Sequence, residues 1–470
     1  MTSNVINKSS ISLEVKEFLK LSVPLACAQI AQAAVGFVDT IMMGHLSIES
    51  LAAGGLAATT FQLILNTFSG LVMAVSPLVA EAYGARQTQK ISHIARQGLW
   101  LSIFLAVPLM ILVGNLESFL SLFQQPLDII SLANPYLKWI LWGIFPALGF
   151  AMLRGYVSAL AHAHIVTPIV IIGTIFNITG NYVLGFGKFS FPRMELAGFG
   201  LASGLSFWLI FAIFLAYTLK QADLKKYNFL NDFVHISPSL ILRLIRIGSG
   251  IAVTLALEYG LFAIITFFMG LLGAQVLAAH HIVYQTMLLL FMIPLGMSYA
   301  VTARVGQWVG KKDFRSARLA GYIAIVAVSL LMLSTAVILV SFPKQIISIF
   351  IDVNNPENLS TILIALPMLY IVALSQLFDG VQRVAMGALY GLQDTQVPML
   401  LSGLSFWVVG LSGSYVLGFT LQLGSIGLWI GQTIGVVFAS ILFTWRFTRL
   451  TQLIIASSDE RSSGPDALVI

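Results

Sequence analysis

The chain has 470 residues, of which 58% are hydrophobic and only 9% charged, and its mean hydropathy is +0.92. That leaves too little polar surface to coat a soluble globule, so lipid must serve as solvent. The formal charge of +6 would suggest an anionic partner in a soluble protein; here it is assigned to loop orientation, and no nucleic acid is expected.

The first twenty residues hold Lys8, Glu14, Lys16, Glu17 and Lys20 and no apolar core leading to a small-residue cleavage site. No cleaved signal is expected, and the first helix directs insertion. A membrane helix needs about 20 apolar residues. Nothing charged lies between Arg96 and Glu117, Glu195 and Lys220, or Arg318 and Lys344, and the 51 uncharged residues between Asp394 and Arg446 suffice for two spans and a turn. Apolar runs bounded by charges and by Pro and Gly predict helices near 18–43, 51–80, 97–116, 135–160, 165–187 and 196–219, then near 243–269, 276–308, 319–342, 361–389, 396–420 and 424–446. Cys27, the sole cysteine, falls in the first of these and excludes an intrachain disulfide or a thiolate metal cluster.

With a cytoplasmic N-terminus, only Lys138, Lys188, Arg193 and Lys344 of the 25 Lys and Arg fall outside. That asymmetry predicts both termini inside an inner (cytoplasmic) membrane. Segment 220–242 is the longest polar interruption and reads as a linker. The expected organisation is an N-lobe at 1–222, a cytoplasmic linker at 223–242, a C-lobe at 243–450 and a polar tail at 451–470.

The halves resemble one another. Residues 43–84 align without gaps to 269–310 with 13 identities in 42 positions, among them Gly44/Gly270, Gly70/Gly296 and Gly84/Gly310. GNYVLGFG at 180–187 recurs as GSYVLGFT at 413–420, and Gly200-Leu201-x-x-Gly204 recurs as Gly427-Leu428-x-x-Gly431. Six helices per half give parallel repeats. The predicted fold is therefore all-α and polytopic, with twelve transmembrane helices in two six-helix lobes related by a parallel pseudo-two-fold repeat around a central cavity.

Acidic residues inside the spans are few: Asp39, Glu258, and Asp379, the last with Arg383 one turn later. A carboxylate near a helix centre costs about 2.5–3.5 kcal/mol on insertion scales, so one that persists normally faces a cavity, a partner or an ion. Desolvation favours the neutral acid and a nearby cation the carboxylate, so one such group can exchange a proton for a cation. Under the 226-residue offset Asp39 matches Ile265 and Glu258 matches Gln32, so neither charge is inherited from the repeat. Positions 32 and 39 lie two turns apart on one helix face. Asn177 and Asn181, spaced i,i+4, are candidate amide ligands or partners for Asp39.

Each has a bland alternative. Asp39 can be an interfacial cap, Glu258 purely structural, Asp379 neutralised by Arg383 one turn later, and the asparagines packing glue between helices. His280 and His281 are candidates for a proton relay, or helix-end interfacial residues. Tyr136, Trp139 and Trp142 read as interfacial belt or packing residues, although aromatics in a cavity would favour flat cations.

Val38-Asp39-Thr40-Ile41-Met42-Met43-Gly44-His45-Leu46, followed by Leu51-Ala52-Ala53, resembles the first-helix signature of the multidrug and toxic compound extrusion (MATE) family, in its NorM-like bacterial branch. Leu277-Ala278-Ala279-His280 resembles the family's eighth-helix start, and Asp379 through Gly387, Leu389, Gly391, Asp394 and Pro398 resembles its tenth-to-eleventh-helix signature. The resemblance implies an alternating-access antiporter, not an enzyme, that exports cationic amphipathic small molecules against Na+ or H+, works as a monomer in the bilayer and needs no cofactor beyond the coupling ion. By that similarity Asp39 is the N-lobe coupling carboxylate, with Asn177, Asn181 and Ser203 around it. Glu258 and Asp379 match the C-lobe acidic pair, supported by Ser375, and Na+ is a candidate ligand at Glu258, Asp379 or Asp39. The chain departs from the pattern in having Ser375 where relatives often carry tyrosine, and His281 where glutamine is usual. The rival readings are a lipid-linked precursor flippase of the same superfamily, which would carry several basic cavity residues, a membrane-embedded enzyme, and a channel. No HExxH, GxGxxG or P-loop spacing occurs.

Overall fold

The computed structural model describes residues 8–117, 127–231 and 233–463. Every regular element among them is helical, because lipid-exposed backbone must satisfy its own hydrogen bonds. Twelve helices are long and apolar enough to cross a membrane: α1 (Ile11–Gly44), α2 (Glu49–Gly84), α3 (Thr88–Gly114), α4 (Asp128–Ala159), α5 (Ala163–Gly185), α6 (Leu196–Lys220), α7 (Pro238–Leu271), α8 (Ala274–Gly310), α9 (Phe314–Ser341), α10 (Pro356–Gly391), α11 (Gln396–Thr420) and α12 (Gly424–Glu460). They coincide with the twelve expected from the sequence. Large apolar side chains such as Phe267, Leu330 and Val337 remain more than half exposed, as a lipid-facing surface requires.

Local chemistry sets several boundaries. Ser47 caps α2 by accepting a hydrogen bond from the Ser50 amide at 3.0 Å, and Asp313 caps α9 by accepting from the Ser316 amide at 3.0 Å. Gly273, with φ +119°, makes the turn between α7 and α8. α5 ends in a π-helical turn at Asn181–Gly185, and α11 widens in the same way at Gly403–Leu411 and Val416–Thr420. Such turns redirect side chains and recur at functional sites.

The chain forms two compact units, one comprising Cys27–Ala252 and the other Met1–Ala26 with Val253–Ile470. The divisions fall inside α1 and α7, 226 residues apart, the same spacing that relates the halves in sequence. The beginning of each long helix thus belongs to a different unit from its remainder. Close backbone approaches hold these beginnings in place. A Cβ built on Gly70 would lie 2.7 Å from the Cα of Ala252, and one on Gly296 would lie 2.4 Å from the Cα of Ala26. Both residue pairs are related by the 226-residue repeat, so the two halves make the same crossing. In the second unit Glu14 of α1 is bidentate to Arg304 of α8 (Oε1–Nε 2.9 Å, Oε2–Nη2 2.5 Å) and accepts a bond from Trp308 Nε1 at 3.1 Å. Charge-assisted pairs of this geometry are among the stronger ties available.

Segment 220–242 docks on α3 within its own unit. Gln97 donates to the His235 carbonyl at 2.9 Å and accepts from the Ser237 amide at 3.0 Å, and Trp100 Nε1 donates to the Phe233 carbonyl at 2.8 Å.

Gly296→Val is expected to lower the melting temperature of the purified protein, because overpacking typically costs about 1–3 kcal/mol and here the neighbour is backbone, which cannot rotate away. Thermal unfolding in detergent, with Gly36→Val as the control at a site that a Cβ leaves uncrowded, measures the difference. Equal melting temperatures for the two variants would show that the crossing is not close-packed.

Candidate functional site

In the unit Cys27–Ala252, the candidate spans α1, α4, α5 and α6 bring a polar cluster together. Asp39 is only 9% exposed. Its Oδ1 accepts a 2.6 Å hydrogen bond from Asn181 Nδ2, which also donates to Asn177 Oδ1 at 3.1 Å. Asn177 Nδ2 in turn donates to Ser203 Oγ at 3.1 Å. The i,i+4 spacing sets both amides on one face of α5, and the π-helical turn begins at Asn181 itself. All four residues singled out in the sequence therefore meet.

Tyr136 joins them, since its hydroxyl bonds to Ser203 and its side chain is buried. Of the two expectations for Tyr136, belt or packing, its burial fits packing. A signal was present in Gly200, whose absent Cβ would lie 2.3 Å from the Tyr136 carbonyl oxygen. That glycine lets α6 and α4 touch at this residue.

The charge on Asp39 is answered by amides and hydroxyls, and among the described residues no Lys, Arg or His is ion-paired to it. Asn181 Oδ1 is buried without a hydrogen-bond partner. An ionised carboxylate beside an unused carbonyl oxygen is a donor set suited to a proton or a small hard cation, which binds through oxygen.

In the other unit Glu258 of α7 and Asp379 of α10 are both buried. Arg383 does not pair with Asp379 along its own helix. It reaches across to α7, and its Nη2 donates to Glu258 Oε2 in a buried ion pair. Its guanidinium lies 4.8 Å from the centre of the Phe291 ring. Gln382 Nε2 donates to Asp379 Oδ1 at 3.1 Å and to Glu258 Oε1 at 3.4 Å. Both acids thus face donors, and one faces a fixed cation. This donor set does not fit Na+ at Glu258. Ser375 is buried one turn before Asp379.

His280 is buried and its Nε2 lies 3.0 Å from Thr266 Oγ1. The Thr266 hydroxyl donates to the Phe262 carbonyl at 2.9 Å, so it accepts from His280 and fixes the Nε2–H tautomer. Nδ1 then has no partner. The ring packs against Tyr284 at 5.8 Å, Trp429 at 5.4 Å and His281 at 5.9 Å. This histidine ties α7 to α8 and is packed among rings. Among the described residues His280 bonds to Thr266 rather than to Glu258 or Asp379.

Residues 24–183 and 251–416 match the MatE family model, one match in each half. The chain is 53% identical over 447 residues to the "Probable multidrug resistance protein NorM" of Synechococcus sp., covering 95% of this chain and 96% of that protein. It is 44% identical over 448 residues to the protein of the same description from Synechocystis sp., covering 95% and 97%. Among solved structures, MATE in complex with MaD3S superposes with a TM-score of 0.85 at 20% identity over 94% of this chain and 97% of that one. An outward-facing multidrug resistance MATE family transporter gives 0.84 at 21% identity over 94% and 96%. At such identities these structures speak to the fold alone.

Proposed function

The chain belongs to the MATE family, in its NorM-like branch, and from that premise we propose that it is a secondary active multidrug exporter which exchanges cationic, amphipathic small molecules for Na+ or H+. It is a multi-pass membrane protein. Within this reading it works as a monomer in the inner membrane with both termini cytoplasmic, as the distribution of Lys and Arg supports.

Asp39 carries the reading. A carboxylate in a candidate membrane span, held by Asn181 and ion-paired to no cation among the described residues, is a negative field that one positive species at a time can satisfy. A bound substrate cation and an arriving Na+ or proton compete for it, and alternating access turns that competition into antiport: the ion binds from outside, the substrate leaves, and the ion is released inside. Asn177, Asn181, Ser203 and Tyr136 fix the carboxylate and supply neutral oxygens beside it. Glu258 and Asp379 form a second acidic site.

The test is efflux of a fluorescent cationic dye from proteoliposomes. Efflux is expected to run under an imposed Na+ or H+ gradient and to stop when that gradient is dissipated. Efflux that needs ATP and persists without any gradient would overturn the antiporter reading.

A further inference from the structure

We propose that Arg383 is a resident cation: its guanidinium takes the place at Glu258 that a free monovalent cation would fill, so the Glu258–Asp379 site takes no Na+ and cation exchange runs through Asp39. This rests on the exporter reading above and assigns a duty to one half of its acidic machinery.

Three observations converge. First, Arg383 is only 4% exposed and spends its charge on Glu258 of α7 rather than on Asp379 of its own helix. The acid one turn earlier on its own helix is passed over for the acid on α7. Second, the surroundings are built for a cation that stays. The Phe291 ring face lies 4.8 Å from the guanidinium carbon, and a desolvated ring face stabilises a guanidinium. Gln382 sends its amide donor toward both carboxylates, so each acid already accepts a hydrogen bond at an oxygen that Na+ would have to share. Third, both oxygens of Glu258 are met from α10: Oε2 accepts from Arg383 Nη2, and Oε1 accepts from Gln382 Nε2 at 3.4 Å.

The two acidic sites therefore differ in kind. Guanidinium stays protonated at any working pH, so titration does not clear it from Glu258. Tethering on α10 gives it an effective concentration that a dissolved ion must outcompete. A second monovalent cation brought beside it would meet like-charge repulsion in a medium that screens poorly. Arg383 Nε, buried and without a hydrogen-bond partner, leaves one edge of the fork uncommitted. Asp379 lies one turn away on the same helix, so the same cation can be shared between the two acids without leaving the site. Among the described residues Asp39 has no such ion-paired companion.

The experiment measures Na+ binding rather than transport. Full-length protein carrying Asp39→Asn, which silences the other site, is melted in detergent over a series of NaCl concentrations matched with choline chloride. With Arg383 intact, the melting temperature is expected to be the same in both salts. Adding Arg383→Gln is expected to produce a rise of several degrees specific to Na+, and further addition of Glu258→Gln to remove it. Na+-specific stabilisation with Arg383 intact that Glu258→Gln removes would overturn the proposal. So would a folded Arg383→Gln protein with no Na+ response. If Arg383→Gln does not fold, the comparison with Arg383 intact decides alone. Failure of the exporter reading looks different: no dye moves under any gradient, while these Na+ titrations keep their outcome.

Discussion

Asp39→Asn is expected to abolish gradient-driven dye efflux while the protein still inserts, purifies and melts as a folded species. Asparagine nearly matches aspartate in shape, and its Oδ1 can still accept the hydrogen bond that Asn181 Nδ2 now gives Asp39 at 2.6 Å. The chain of bonds through Asn177 to Ser203 has no reason to move. What disappears is one full charge. Against a unit cation about 4 Å away at an effective dielectric near 20, that charge contributes about 4 kcal/mol, or about a thousandfold in affinity. Asp39→Glu keeps the charge and displaces it by one methylene, so it is expected to retain part of the activity. Rates in proteoliposomes, normalised to reconstituted protein, check both variants. Full efflux from Asp39→Asn would place the exchange elsewhere.

Much of this was legible in the sequence, and what was not has physical reasons. Apolar runs bounded by charge gave twelve helices that the structure reproduces, because the bilayer imposes a length that composition reveals directly. The Asp39 cluster was legible because Asn177 and Asn181 share a helix at i,i+4 and the one carboxylate-bearing helix is marked by its isolated charge, while Ser203 came only from the family resemblance. The place of Tyr136 in it was not: an aromatic near a span end has generic explanations in the interfacial belt or in packing, and its burial depends on the contact between α4 and α6 at Gly200. Arg383 shows the same limit. Its neighbour Asp379 on the same helix is visible in one dimension, whereas Glu258, 125 residues earlier, becomes its partner only once α7 and α10 pack together. The exchanged beginnings of α1 and α7 also escaped, because polarity advertises the docked segment 220–242 while the crossing itself is marked by two repeat-related glycines, Gly70 and Gly296, whose purpose is backbone proximity.

The Arg383–Glu258 pair is expected to show strong coupling in stability. Both partners are buried, so removing one leaves the other as an uncompensated charge in a poorly screened interior. Breaking a buried pair from one side typically costs about 3–5 kcal/mol, whereas replacing both partners with neutral groups is often close to neutral. Arg383→Gln strands Glu258 beside Asp379, with two acids and no cation, and is expected to be the most destabilised of the set. Glu258→Gln leaves Arg383 with Asp379 one turn away as a fallback partner, so its loss is expected to be smaller. The double variant Glu258→Gln/Arg383→Gln is expected to recover most of the stability, because amides of similar length can hydrogen-bond where the ions stood. A double-mutant cycle of melting temperatures in choline chloride isolates the interaction. Additive losses would mean that the pair is incidental to the fold. In that case a tethered cation at Glu258 has no energetic basis, since a guanidinium that keeps out a dissolved ion must itself be held by the acid it neutralises.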